Sequence, residues 1–164
     1  MTKLAIVLGA GVENGLGAAL ARRFAKEGLH VLVTGRTLAK VETVAASIRS
    51  AGGSAEAATV DVTDEASGNA CFDGLPKDTS LEAVFYNAGN NAIIPFADLT
   101  ADTFEHFWLV GCFGGYLTAQ AAMPILERQG HGSLIFTGAS GSLRGKANFA
   151  HFAAAKAGLR MLSQ

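Results

Sequence analysis

The sequence predicts a three-layer α/β fold, in which helices cover both faces of a doubly wound parallel sheet. Two observations predict it. Short runs of consecutive apolar residues, typical of parallel strands buried on both faces, alternate with stretches of helical apolar spacing. The chain has 164 residues, of which 49% are hydrophobic and 16% charged, enough for one folded core. Strands that alternate with helices of 10–15 residues imply right-handed crossovers and a parallel sheet.

In the first half of the chain, each predicted strand leads into a helix. The strand Lys3–Leu8 ends in glycine and precedes a helix over Gly15–Glu27, where leucine and phenylalanine recur every four residues. Gly28 follows that helix as an end signal. The next elements are the strand His30–Thr34, the helix Leu38–Ser50, the strand Ala55–Val60 and a short helix from Asp64, its cap, to about Phe72.

The second half continues the alternation with longer helices. The elements are the strand Leu81–Tyr86, a helical region from Thr100 or Asp102 to about Arg128, the strand Gly132–Thr137 and the helix Asn148–Gln164. Pro124 lies inside the long helical region and is expected to distort its last turns. The pattern predicts one domain over residues 1–164, truncated after the fifth strand and the following helix. A longer parent chain, or a partner that covers the edge of the fifth strand, would explain the missing next strand.

Composition excludes several classes of function. The net charge is −1 and the basic residues are scattered, so neither a nucleic-acid surface nor a membrane-surface patch is expected. Apolar runs such as LAIVLGAGV are too short to span a bilayer, and the N-terminus lacks the features of a signal peptide. We expect a cytoplasmic protein in which Cys71 and Cys112 are reduced core thiols. The four histidines have no metal-binding spacing, so no metal site is expected.

A glycine-rich loop lies between the first strand and the first helix. The segment GAGVENGLG, Gly9 to Gly17, stands where a dinucleotide site is found in such folds. Glycines allow close approach of a diphosphate, and the amides near Gly15–Gly17 would face it with the helix dipole behind them. An ordinary turn between strand and helix stays open as the alternative.

The end of the second strand bears on the choice of nucleotide. NAD sites usually place an acidic residue there, but the sequence reads VTGR, and no acid follows until Glu42. Arg36 could instead pair with a 2′-phosphate, which favours NADP over NAD. A solvated loop arginine is the alternative.

These motifs, with others further along, resemble the short-chain dehydrogenase/reductase family. The loop is similar to its GxxxGxG motif, with Gly11, Gly15 and Gly17 at the glycine positions, although the loop is about two residues longer than usual when measured from Gly9. The segments DVTD (61–64), YNAG (86–89) and GSLIFTGASGSLRG (132–145) also resemble family motifs. Lys156 matches the lysine of the family's YxxxK motif. The resemblance covers the whole chain and implies a Rossmann-type, NADP-binding oxidoreductase, of which this sequence would be the N-terminal two-thirds.

The resemblance and the glycine loop together give an expected set of cofactor-binding residues. The set comprises Gly9, Gly11, Asn14, Gly15, Leu16, Gly17, Arg36, Asp61, Val62, Asn87, Ala88, Gly89 and Lys156.

The resemblance also implies four catalytic positions, and three of them are altered. In that family a tyrosine exchanges the proton, a lysine lowers its pKa and holds the nicotinamide ribose, a serine polarises the substrate oxygen, and an asparagine supports a proton relay. Lys156 is present, but the tyrosine position is Phe152, the serine position is Ala139 and the asparagine position is Gly111. Phenylalanine has no proton to give, so we expect catalysis to be impaired or to use a substitute group.

Candidate substitutes lie nearby. Ser140 and Ser142 could replace the missing hydroxyl, or could serve only the turn. His151 is expected on the helix surface, and Tyr86 and Tyr116 are expected in the core or at an interface.

Three functions stay open at this point. They are an oxidoreductase for a carbonyl or alcohol substrate with an atypical active site, a non-catalytic NADP-binding or interaction domain, and a fragment without independent function. By resemblance, a homo-oligomer is expected through the long helices Phe104–Arg128 and Asn148–Gln164.

Overall fold

Five parallel strands form a single sheet in the computed structural model, which describes all residues 1–164. The strands are β1 (Thr2–Leu8), β2 (His30–Gly35), β3 (Ser54–Thr59), β4 (Thr79–Tyr86) and β5 (Ser133–Phe136). Their order is β3-β2-β1-β4-β5. The first three strands are added towards one edge of the sheet and the last two towards the other, so the strand order reverses between β1 and β4. Such a reversal opens a crevice at the carboxyl ends of the two central strands, where ligands bind in open α/β sheets.

Six α-helices cover the sheet. They are α1 (Leu16–Lys26), α2 (Leu38–Ser50), α3 (Glu65–Asp73), α4 (Ala101–Trp108), α5 (Gly114–Gln129) and α6 (Ala150–Leu162). One buried cluster joins the sheet to α1 and α2, with Val41 and Val44 fully buried. The other joins it to α3, α5 and α6 through Phe72, Leu126 and Leu159. These two clusters, one on each face of the sheet, confirm the predicted three-layer doubly wound fold.

The long helical region differs from expectation in the position of its irregularity. The helix α5 continues through Pro124 to Gln129. The irregular turn lies earlier, where Leu109–Phe113 forms a π-helical turn between α4 and α5. The prediction placed the distortion near the proline, but the structure places it in the turn that contains Gly111.

The stretch Ala101–Gln129 passes the length and composition test for a membrane-crossing helix, and its most apolar 18-residue window has a mean hydropathy of 1.4. It is longer than the apolar runs from which no membrane segment was expected. Its most apolar window is 44% buried within the protein, and α5 packs on α3, β4 and β5. Such burial is typical of a core helix that covers a sheet.

Candidate functional site

A cleft of about 380 Å³ lies at the carboxyl ends of β1, β2 and β4, at the reversal of strand order. Most of the predicted cofactor residues line it: Gly9, Gly11, Gly15, Leu16, Gly17, Arg36, Asp61, Val62, Asn87, Ala88 and Gly89. Two predicted residues do not line the cleft: Asn14, which is exposed in the glycine loop, and Lys156 of α6. The topology therefore collects residues from four separate segments at one edge of the sheet.

The glycine loop packs directly on the end of β4, and this packing requires glycine. Gly9 has a φ of 89°, and a Cβ there would lie 2.6 Å from the amide nitrogen of Ala88. A Cβ on Gly17 would lie 2.5 Å from the carbonyl oxygen of Gly9. Gly15, the residue that precedes α1, makes no side-chain cap, and the first turn carries no acidic residue. The first amides of α1 therefore remain available to an anion in the cleft.

Basic side chains lie at the far end of the cleft, beyond β2. Arg36 and Lys40 both line it, together with Thr37. Lys40 lies in the first turn of α2 and approaches the glycine loop, since a Cβ on Gly11 would lie 3.8 Å from the Cβ of Lys40. Lys40 is not among the cofactor residues predicted from the sequence. Its position near the start of α2, one turn after the strand-end arginine, was the available signal.

The one carboxylate in the cleft, Asp61, follows β3. Its Oδ1 accepts hydrogen bonds from the backbone amide of Thr63 (2.9 Å) and from the Thr63 hydroxyl (2.8 Å). These bonds, and to a smaller extent the charges of Arg36 and His106, lower the pKa of Asp61. Asp61 is therefore a fixed anion and hydrogen-bond acceptor.

A hydrogen-bonded chain connects the glycine loop to α6. The Asn87 side chain donates to the carbonyl of Gly9 (2.9 Å) and accepts from the hydroxyl of Thr137 (2.9 Å). The carbonyl of Thr137 then accepts from Lys156 Nζ at 2.7 Å. Through Thr137, the structure thus brings Lys156 to the same edge of the sheet as the cleft. Thr137 was not among the predicted site residues, because it lies directly after β5 in an ordinary apolar strand pattern.

Lys156 is buried, with 5% of its surface exposed. Its ammonium is near the cleft wall, because a Cβ on Gly89 would lie 3.7 Å from Nζ. Burial lowers the pKa of Lys156 from its ordinary value. Lys156 is therefore not a solvated lysine of the helix surface.

The positions where the family resemblance implies a tyrosine, a serine and an asparagine hold Phe152, Ala139 and Gly111. Phe152 lies one turn before Lys156 on α6, and its ring contacts the loop near Gly141, where a Cβ would lie 3.6 Å from two ring atoms. The Ser142 hydroxyl donates to the carbonyl of Ala139 (2.7 Å) and so serves the turn. Ser140 begins the short 3-10 turn Ser140–Ser142 and is exposed, which leaves its hydroxyl available.

The position expected to hold an asparagine has no room for a side chain. Gly111 lies in the π-helical turn and is buried. A Cβ there would lie 2.7 Å from the Cβ of Ala155 on α6. Close packing of α6 on this turn occupies the space in which a relay side chain would stand.

His151 was expected on the helix surface, and that expectation is wrong. The side chain is completely buried. Its ring packs against Phe107 of α4 with centroids 4.2 Å apart, and neither ring nitrogen has a hydrogen-bond partner. The helix is rich in alanine on all sides, so its sequence pattern did not reveal which face packs against α4. His151 faces a phenyl ring in the core.

Replacing His151 with leucine is expected to raise the free energy of unfolding by roughly 1 kcal/mol. Burial of an imidazole without hydrogen-bond partners costs desolvation free energy, and leucine has no polar group that pays this cost. Urea denaturation of the wild type and the variant measures this difference. His106→Leu, an exposed change on α4, serves as the control and should shift stability by less than about 0.5 kcal/mol. Equal or lower stability of His151→Leu would show that the imidazole finds a partner in solution.

The fold and the cleft define a class of protein, the α/β domains that bind a nucleotide at the switch point of a parallel sheet. Comparison with known proteins identifies the family within this class. The short chain dehydrogenase family model matches residues 3–164. The chain belongs to the short-chain dehydrogenase/reductase family.

The chain spans about two-thirds (64%) of the length of curated relatives that it matches. It is 31% identical over 169 aligned residues to 2,5-dichloro-2,5-cyclohexadiene-1,4-diol dehydrogenase LinX of Sphingobium indicum, covering 99% of this chain and 64% of that protein. A metagenomic short-chain oxidoreductase crystallised with NADP superimposes with a TM-score of 0.90 at 26% identity, covering 98% of this chain and 72% of that one. A gluconate 5-dehydrogenase from Burkholderia cenocepacia, in complex with NADP and tartrate, gives 0.88 at 28% identity, with 98% and 62% covered.

Proposed function

We propose that this protein binds NADP in the cleft at the switch point and acts as an oxidoreductase on a carbonyl or alcohol substrate, with an altered active site. In this proposal residues 1–164 form one nucleotide-binding domain. The observation that carries it is the placement of Arg36 and Lys40 at the end of the cleft beyond β2, with no carboxylate at the end of that strand. The similarity to two solved relatives that were crystallised with NADP supports the same cofactor.

The chain's own groups divide the work of holding the nucleotide. The open amides at the start of α1 and the packed glycine loop would receive the diphosphate. Asp61 would accept from the adenine end, and Arg36 with Lys40 would pair with the 2′-phosphate. Lys156, fixed by Thr137, would donate to the nicotinamide ribose. When bound, the nucleotide supplies or accepts the hydride, so the binding residues need not perform the redox step.

Replacing Arg36 with leucine tests the cofactor preference. We expect NADPH affinity to fall by about 10- to 100-fold, the equivalent of a lost charge-assisted hydrogen bond, while NADH affinity stays nearly constant. Fluorescence titration of both nucleotides measures the two affinities. Arg128→Leu is the matched control, since Arg128 is an exposed arginine of α5 outside the cleft. An equal loss for NADPH and NADH in Arg36→Leu would contradict pairing with the 2′-phosphate.

A second candidate is a domain that binds NADP without catalysis. The substitutions Phe152, Ala139 and Gly111 favour it, because together they remove the phenol, the hydroxyl and the amide expected of an active relative. The two candidates share the cofactor site and differ only in whether a substrate is reduced.

We also propose a homo-oligomer through α4, α5 and α6. Trp108, Phe113 and Tyr116 form a continuous stack on the outer side of α4 and α5, with ring centroids 5.8 and 5.7 Å apart. Trp108 and Tyr116 remain 38% and 43% exposed. Aromatic side chains of this kind are enriched at protein interfaces.

The unpaired thiols of Cys71 and Cys112 support a cytoplasmic location.

A further inference from the structure

We propose that Lys156 itself gives the proton to the substrate oxygen, in place of the tyrosine that position 152 lacks. This inference rests on the proposed oxidoreductase function. It assigns to the lysine a chemical role in addition to its role in holding the cofactor.

The first support is the hydrogen bonding of Nζ. An ammonium group has three N–H donors. One of them donates to the Thr137 carbonyl at 2.7 Å, and no other protein atom accepts from Nζ. Because Nζ lies beside Gly89, which lines the cleft, two donors remain for groups bound there. One donor can serve a ribose hydroxyl and the other a carbonyl oxygen.

The second support is that nearby hydroxyl and ring groups are already engaged or face elsewhere. The Tyr86 hydroxyl is buried and donates to the carbonyl of Val110 at 2.6 Å. The Thr137 hydroxyl donates to Asn87 and the Ser142 hydroxyl to Ala139. His151 packs against Phe107, away from any polar partner. Ser140 keeps a free hydroxyl that can donate a hydrogen bond to a carbonyl, but serine is not among the usual general acids.

The electrostatic surroundings agree with this role. The charged side chains of α4 and α5 are exposed. The buried titratable groups on the elements around Lys156 are Cys112, His151 and Tyr86. None of these three forms a hydrogen bond with Nζ. No carboxylate forms an ion pair with Lys156. Burial without a counter-ion lowers the pKa of Lys156, which makes its ammonium a better proton donor than that of a solvated lysine.

The proposed step reduces a carbonyl to an alcohol. The carbonyl carbon accepts a hydride from the reduced nicotinamide, and the electron pair of the C=O π bond moves to oxygen. An N–H bond of Lys156 breaks as the O–H bond forms, which gives an alcohol, an oxidised nicotinamide and a neutral amine. The amine then regains a proton from solvent. The carbonyl is reduced by two electrons and the nicotinamide is oxidised by two.

The test uses NADPH with two probe substrates, benzil and diacetyl, and follows NADPH oxidation at high enzyme concentration. Lys156→Arg keeps the positive charge but holds its protons too strongly to give one up. We expect this variant to retain NADPH binding and to lose about 10²-fold in rate. In the wild type the rate should fall as the pH rises through the lysine pKa, because only the protonated amine donates. In a Phe152→Tyr background, the added phenol takes over the proton, and Lys156→Arg should then lose less than about 10-fold.

The outcomes separate this inference from the proposed function. Equal rates for the wild type and Lys156→Arg would overturn the role of Lys156. It would also be overturned if Phe152→Tyr reduced a probe and the wild type reduced neither. A wild-type rate that does not depend on pH would also overturn it. If no variant, Phe152→Tyr included, reduces either probe, or if NADPH does not bind, the proposed oxidoreductase function fails and the role of Lys156 fails with it.

Discussion

Phe152→Tyr is expected to raise NADPH-dependent reduction of a carbonyl probe by about 10-fold, only part of the roughly 10²–10⁴-fold that a positioned acid contributes, because Lys156 is proposed to donate a proton already in the wild type. Residue 152 lies on α6 one turn before Lys156, so a phenol there would stand beside a buried ammonium. The neighbouring positive charge would lower the phenol pKa and bring it into the range of a useful proton donor. Steady-state NADPH oxidation, at matched cofactor saturation, measures the gain.

Phe149→Tyr is the matched control for this change. It adds the same hydroxyl seven residues before Lys156, at the start of α6 and about 10 Å away along the helix axis. Its rate should equal that of the wild type. A similar gain in both variants, or no gain in Phe152→Tyr while NADPH still binds, would show that position 152 does not face the reacting carbonyl.

Gly111→Asn is expected to destabilise the protein by about 2–3 kcal/mol, the upper part of the usual range for overpacking a core. A Cβ at position 111 would lie 2.7 Å from the Cβ of Ala155, and a methyl group on a packed helix cannot rotate away. Asparagine should therefore displace α6, and with it Lys156, so that the rate falls in a Phe152→Tyr background. Denaturant unfolding and NADPH oxidation measure the two effects.

Two further variants sharpen this result. Gly68→Asn places the same side chain in the interior of α3, where a Cβ meets nothing within 4 Å, and should leave stability nearly unchanged. Ala155→Gly removes the clashing methyl group, so a double-mutant cycle with Gly111→Asn should give a favourable coupling energy of at least about 1 kcal/mol. A stable Gly111→Asn variant, or a coupling energy near zero, would contradict the close packing of α6 on the π-helical turn.

The elements that followed from the sequence are those with strong local signals. The run at Lys3–Leu8, the glycines from Gly9 to Gly17 and the helical spacing of α1 each carry their own pattern, and the structure places them within two residues of the predicted bounds. The position of Arg36 at the end of β2 also followed from chain order alone, because parallel strands end at one edge.

The features that the sequence did not reveal depend on contacts between distant segments. The burial of His151 arises from Phe107, which comes from another helix, and an alanine-rich helix has no strong apolar face that would indicate it. Thr137 fixes Lys156 through its backbone carbonyl, a group that every residue has. The irregular turn stands at Leu109–Phe113 rather than at Pro124, in the segment where Gly111 packs closely on α6. None of these contacts has a local sequence signal.

We propose that the protein keeps a working NADP site although the phenol expected beside Lys156 is absent. The most direct measurement is a titration of the wild-type protein with NADPH, followed by the change in nucleotide fluorescence. Saturable binding with a Kd below millimolar, and weaker binding of NADH, is the predicted result. No binding of either nucleotide at millimolar concentration would contradict both the oxidoreductase and the non-catalytic NADP-binding proposals.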